Sequence, residues 1–195
     1  VSCDGGFVLQ GSTSKCVKQL TCSSGLVLDA YTVTCIRPGT CSFDDDASIC
    51  GWTEAGKNHW TRGTRSTWNT GARKAHSGSY FMYLETSSGY QNDASYLMSP
   101  KLAAGTNSMT FHYHMYGSNI GELRLTDAEN QTVWSERDDQ GDAWHFASVD
   151  VHSTSFTFEY VFGGFGYLGQ AALAQMAVSC GEWPPPTPPR RARPP

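Results

Sequence analysis

The chain has 195 residues, room for one large domain or one domain with an appendage. Its formal net charge of −4 and pI near 5.8 argue against nucleic-acid binding through a basic face, and no apolar run reaches the roughly 18 residues that a membrane-spanning helix needs. Seven cysteines are present, six of them between Cys3 and Cys50 with 12, 5, 12, 5 and 8 residues in the gaps. No C-x-x-C supports a zinc ribbon or a thioredoxin-type site, so this local, regular spacing points to disulfides made in an oxidising, extracellular compartment. The chain opens at Val1 with no signal-like run and is expected to be a piece of a longer precursor.

Residues 1–40 hold two copies of one unit. Cys3-Asp4-Gly5-Gly6-Phe7-Val8-Leu9 returns as Cys22-Ser23-Ser24-Gly25-Leu26-Val27-Leu28, and Thr13 and Cys16 return as Thr32 and Cys35, a period of 19 residues. Each unit sets a short apolar run between two cysteines. That suits a small hairpin closed by its own bridge, Cys3–Cys16 and Cys22–Cys35; an interlaced pairing, Cys3–Cys22 with Cys16–Cys35, stays open. So short a segment cannot bury a useful core and needs staples for order. It is expected to be a disulfide-stapled appendage, a spacer in its generic role and a binding repeat in the alternative.

Further along, Tyr80 to Glu85 reads as a strand, and so does Ala94 to Leu102, with Pro100 marking its end because proline cannot donate to a ladder. The stretch from Ser108 to Leu125 organises the chain. Met109, Phe111, Tyr113 and Met115 alternate with Thr110, His112, His114 and Tyr116, the period of a strand with one buried face. Gly117-Ser118-Asn119 and Gly121 break it, and Leu123 and Leu125 resume the alternation. Strands are expected at Thr132 to Glu136 and Trp144 to Asp150, with turn chemistry at Asp138 to Asp142 between them. Phe156, Phe158, Tyr160 and Phe162 alternate on one face before Gly163-Gly164. Many short strands and no convincing helix give an all-β antiparallel sandwich. Residues 184–195, Pro-rich and then Arg-rich, read as an extended linker.

Tyr113-His114-Met115-Tyr116-Gly117, a short link and Gly121-Glu122-Leu123-Arg124-Leu125 resemble the signature of MAM domains, extracellular modules named after meprin and a receptor tyrosine phosphatase. Cys41-Ser42-Phe43-Asp44 and Cys50-Gly51-Trp52-Thr53 resemble the family's opening, and the two cysteines are close enough to bridge locally. His59-Trp60-Thr61-Arg62-Gly63, the Ser99-Pro100-Lys101-Leu102 strand end and the last strand from Gly169 to Cys180 follow in order. The resemblance implies a jelly-roll domain over 41–183. In many members the central strand opens with a Cys that bridges to the Cys ending the last strand. Ser108 stands at the first of these positions, so Cys180 is expected as an unpaired thiol: buried and inert, bridged to another chain, or paired with the amino-terminal segment.

Catalytic constellations are missing from the sequence. There is no G-x-S-x-G and no H-E-x-x-H. Gly51 to Lys57 fits G-x-x-x-x-G-K, but Asn58 stands where a P-loop needs Ser or Thr. Gly164 to Gly169 fits G-x-G-x-x-G, but no βαβ unit follows. Both read as glycines in ordinary loops. His112 and His114 share a strand face and could ligate a metal, yet no further ligands are evident, so they read as half-exposed strand histidines. Asp44-Asp45-Asp46 lacks the spacing of a calcium loop and reads as a solvated acidic loop. Some MAM domains hold a cation; the acids used there correspond to His59, Ala174 and Gln175 here, so no calcium is expected. Asn130-Gln131-Thr132 is the sole N-x-S/T sequon, on an expected hairpin tip, and Asn130 is the expected glycosylation site.

The expectation is a non-catalytic adhesion or protein-interaction module, with no cofactor and no metal, in a secreted or cell-surface parent. Its partner would be a protein, a second copy or another extracellular chain, with no nucleic acid and no membrane insertion. An accessory domain of a secreted protease and a carbohydrate-binding jelly roll are the alternatives.

Overall fold

The computed structural model describes residues 7–10, 15–18, 27–29, 34–36, 38–44, 49–65, 70–87, 89–102, 108–150, 152–164 and 166–179, the first four of these ranges in backbone alone. Two hairpins come first: β1 (Phe7–Gln10) pairs with β2 (Lys15–Lys18), and β3 (Val27–Asp29) with β4 (Thr34–Ile36). Each sequence repeat thus makes one hairpin, with Leu9 opposite Cys16 and Leu28 opposite Cys35.

Ten strands follow: β5 (Thr53–Gly56), β6 (Thr61–Gly63), β7 (Phe81–Glu85), β8 (Ala94–Met98), β9 (Ser108–Tyr116), β10 (Glu122–Thr126), β11 (Thr132–Arg137), β12 (His145–Asp150), β13 (Thr157–Val161) and β14 (Gln170–Ser179). They form two antiparallel five-stranded sheets, in the orders β11-β10-β13-β8-β5 and β12-β9-β14-β7-β6. From β7 onward every connection crosses from one sheet to the other except the β10–β11 hairpin, which stays within the first sheet, the crossing pattern of a jelly roll. The short edge strands β5 and β6 went unseen in the sequence; β5 is exposed at all four residues, so no apolar alternation marks it.

The core lies between the sheets. Met109, Phe111 and Met115 of β9 are fully buried and Tyr113 nearly so, which is the inward face expected from the period-2 pattern. Phe111 meets Phe158 of β13 and Trp134 of β11 edge-on, both at 4.9 Å between centroids, so one ring from one sheet is clasped by two from the other. Phe156, Phe158, Tyr160 and Phe162 are all buried.

The outer face of β9 departs from expectation. His114 is 1% exposed, not half-exposed. A strap at 70–76 lies over this face together with Trp144, enclosing Ala72, Ala75, Phe81, Ala172 and Ala174. β14 is therefore covered on both sides, and its small alanines leave room for the strap. Asp44 also departs from a solvated loop: its carboxylate accepts from the backbone N–H of Ser79 at 2.6 Å and of Tyr80 at 3.0 Å. Asp45 and Asp46 lie outside the described residues.

The two ends of the sandwich differ. At the proximal end the chain enters at Cys41, bridged to Met176, and leaves through Ser179. Cys41 and Cys50 form a disulfide there, with Cα atoms 5.7 Å apart. At the distal end gather the turns after β5, β7, β9, β11 and β13, since Gly56, Glu85, Tyr116, Arg137 and Val161 all finish their strands on that side.

Candidate interaction site

Among the described residues, the distal end carries three of the four exposed large hydrophobics, Tyr90 at 59%, Tyr167 at 74% and Leu168 at 43%. Apolar surface gathered at one tip points to contact with another molecule. Beside these side chains lies a cleft of about 390 Å³, walled by Gln91 and Asn92, by 118–121 and by 161–164, and floored by Glu122, Arg124 and Arg137. Close approach of two backbones builds the wall. A Cβ on Gly121 would sit 1.9 Å from the Val161 carbonyl oxygen, so only glycine fits. The Gly121 N–H donates to the buried Tyr160 hydroxyl at 2.8 Å, and burial pushes the Tyr160 pKa up to about 12.

The floor is an ion-pair ladder across the outer face of the first sheet. Glu122 accepts from Arg124 at 2.8 Å and from Arg137 at 2.5 Å, and Arg124 lies 3.6 Å from Glu159. The hydrogen bond from Arg124 holds the Glu122 carboxyl below its ordinary range. Such charge-assisted bonds fix side chains in place, which presents an ordered polar surface rather than a mobile one.

A second cluster lies under and beside the strap. His112 stacks on His76 with centroids 3.6 Å apart, and Phe146 packs at 5.3 Å. His114 Nε2 is 3.3 Å from an Asp142 oxygen, while its buried Nδ1 has no partner. Burial lowers the His114 pKa, against the opposing pull of Asp142; burial and then His76 lower that of His112. His112 and His114 thus pack apart from each other, each against its own aromatic neighbours. Among the described residues no group of three His, Cys, Asp or Glu is placed to hold a metal ion.

The residues singled out for a family cation are dispersed. His59 Nδ1 is 3.2 Å from Glu54, Ala174 is buried under the strap, and Gln175 sits at a positive φ of 51° inside the β14 bulge. Asn130 is exposed at a positive φ of 59°, on a turn held by the Asp127 carboxylate at the proximal end. Cys3, Cys22 and Cys180 and the side chains of Cys16 and Cys35 lie outside the described residues. The residue opposite Ser108 is Ser179, not Cys180, and the two serine hydroxyls are hydrogen-bonded. Gln91, Asn92, Arg124 and Arg137 were not singled out in the sequence. They come from separate turns and strands, and the signals near them were the glycine breaks at 117–121 and 163–164.

The sequence profile of the MAM domain, meprin/A5/mu, matches residues 41–179. The chain belongs to the MAM family. It is 33% identical over 163 aligned positions to the human MAM domain-containing glycosylphosphatidylinositol anchor protein 1, an alignment that takes in 72% of this chain and 17% of that one. It is 32% identical over 106 positions to Xenopus laevis neuropilin-1, across 50% of this chain and 11% of that protein. This MAM chain thus spans a small fraction of these relatives. Among solved structures, the K1 cleaved adhesin domain of Lys-gingipain from Porphyromonas gingivalis superposes with a TM-score of 0.53 at 15% identity, over 72% of this chain and 96% of that domain. At that identity the likeness is one of fold.

Proposed function

We propose that this MAM chain is a non-catalytic extracellular adhesion module, part of a larger secreted or cell-surface protein, that binds a second copy of itself or another extracellular protein through its distal end. The observation that carries this reading is the asymmetry of the sandwich. Its chain connections, the Cys41–Cys50 bridge and the sequon turn are all proximal, whereas Tyr90, Tyr167 and Leu168 stand exposed at the opposite tip. A module tethered at one end meets partners with the other. The relatives support the extracellular setting: one carries a glycosylphosphatidylinositol anchor in its name. Cysteine usage supports it independently.

The test uses beads coated with the purified chain, mixed with each other and with cells. Clustering or attachment above albumin-coated beads is the expected result. Beads that neither cluster nor attach to any cell type would remove the adhesion reading.

A further inference from the structure

We propose that the distal cleft is a glycan site, shaped for one or two rings of a neutral, hydroxyl-rich saccharide carried by the module's partner. The proposal rests on the distal end being the working end.

Four observations carry it. The cleft's volume of about 390 Å³ lies in the range of small-ligand sites, and it is bordered by amides, carboxylates and guanidiniums. Its charges cancel, Glu122 and Asp138 against Arg124 and Arg137. A phosphate or sulfate site needs a surplus of positive charge, and a peptide anchor needs a desolvated apolar pocket; neither is on offer. Sugar hydroxyls donate and accept at once, and paired Arg and Glu beside amides present both partners at close spacing.

The walls are also fixed before any ligand arrives. Gly121 is held from both sides, its N–H donating to Tyr160 and its carbonyl accepting from the Asp138 N–H at 2.9 Å. The Asn92 N–H donates to the Phe162 carbonyl at 3.1 Å. Meanwhile the side-chain amides of Gln91 and Asn92 are exposed at the rim, ready to bond a ligand. Pre-set walls spare a weak ligand the cost of ordering them.

Nitrogen-15 NMR titration of the whole chain with methyl glycosides of mannose, galactose, glucose and N-acetylglucosamine tests this, with sialyllactose and a heparin tetrasaccharide as anionic probes. At least one neutral glycoside is expected to shift the backbone signals of Asn92, Gly121 and Gly163, with affinity unchanged by added salt. Arg137→Ala should weaken that binding about tenfold, the loss of one charge-assisted bond. The Arg137 side chain is 66% exposed, so the variant should keep its fold, and its unperturbed spectrum away from the cleft checks this. Lys101→Ala, at the proximal end, should change nothing. No shift with any neutral glycoside, shifts only with the anionic probes and lost in salt, or shifts confined to another surface would each overturn the proposal. Beads that attach while no glycoside shifts the cleft would sink the glycan site and leave the adhesion module standing. Shifts at the cleft without bead attachment would do the reverse.

Discussion

Phe111→Ala is the perturbation that most directly probes how the two sheets are held together. Phe111 is fully buried on β9 and is met edge-on by Phe158 and Trp134 of the facing sheet, each at 4.9 Å. Truncation removes the transfer free energy of the ring and leaves a cavity that two rigid neighbours cannot fill, a combination that costs about 3–5 kcal/mol for Phe→Ala in cores. Part of that cost belongs to the ring pairs, about 0.5–1.5 kcal/mol each. A double-mutant cycle with Phe158→Ala should therefore return a coupling of about 1 kcal/mol. Urea unfolding followed by tryptophan fluorescence supplies the numbers, provided the m-value stays constant across the set. Phe146→Ala is the internal control: it sits on the neighbouring strand β12 at 61% exposure, and its loss should stay within about 0.5 kcal/mol. Equal losses at Phe111 and Phe146, or no coupling between Phe111 and Phe158, would refute the packing argument.

Acidification should loosen the strap. His112 and His114 have folded pKa values below the ordinary 6.5 because they are buried, so the unfolded chain binds more protons and stability falls as pH drops below that value. Melting temperatures between pH 7.5 and 5 should decline and His114→Gln should flatten the decline; the Glu122 carboxyl, held low by Arg124, adds its loss in a more acidic window. A Ser108→Cys, Ser179→Cys pair should form a disulfide, since these residues face each other across β9 and β14 at a sequence separation of 71. Chain entropy gives about 4 kcal/mol as the upper figure, and peptide mapping after alkylation reads the bond. Chain made in a glycosylating host should lose mass on treatment with an N-glycosidase, and Asn130→Gln should abolish that loss.

Much of the sandwich was legible because burial on one face leaves a period of two. Met109 to Met115 show it within β9 and Phe158 and Tyr160 within β13, while Phe156 and Phe162 carry the same buried pattern just beyond the ends of β13. The outer face of β9 was not legible, because what covers it is a strap at 70–76 with no period of its own. Its trace in the sequence was Ala171-Ala172-Leu173-Ala174, apolar at consecutive positions, which marks a strand covered on both sides. The register between β9 and β14 was not legible either: the bulge between Ala174 and Ala177 shifts the pairing so that Ser108 stands opposite Ser179, and a bulge inserts a residue without a sequence signature of its own. The distal cleft was out of reach for a different cause: it is assembled from four separate segments, and proximity of that kind arises from topology, not from any local pattern.

If the module binds through its distal end, damage confined to that end should abolish adhesion. The direct measurement is bead clustering and cell attachment by three proteins side by side: the native chain, a Tyr167→Asp, Leu168→Asp variant, and a Lys101→Glu variant altered at the proximal end. Tyr167 and Leu168 are exposed and pack into no core, so the variants should share the native melting temperature. Loss of attachment with the distal pair and native attachment with Lys101→Glu is the predicted result. Native attachment by the distal pair, or its loss with Lys101→Glu, would contradict the claim.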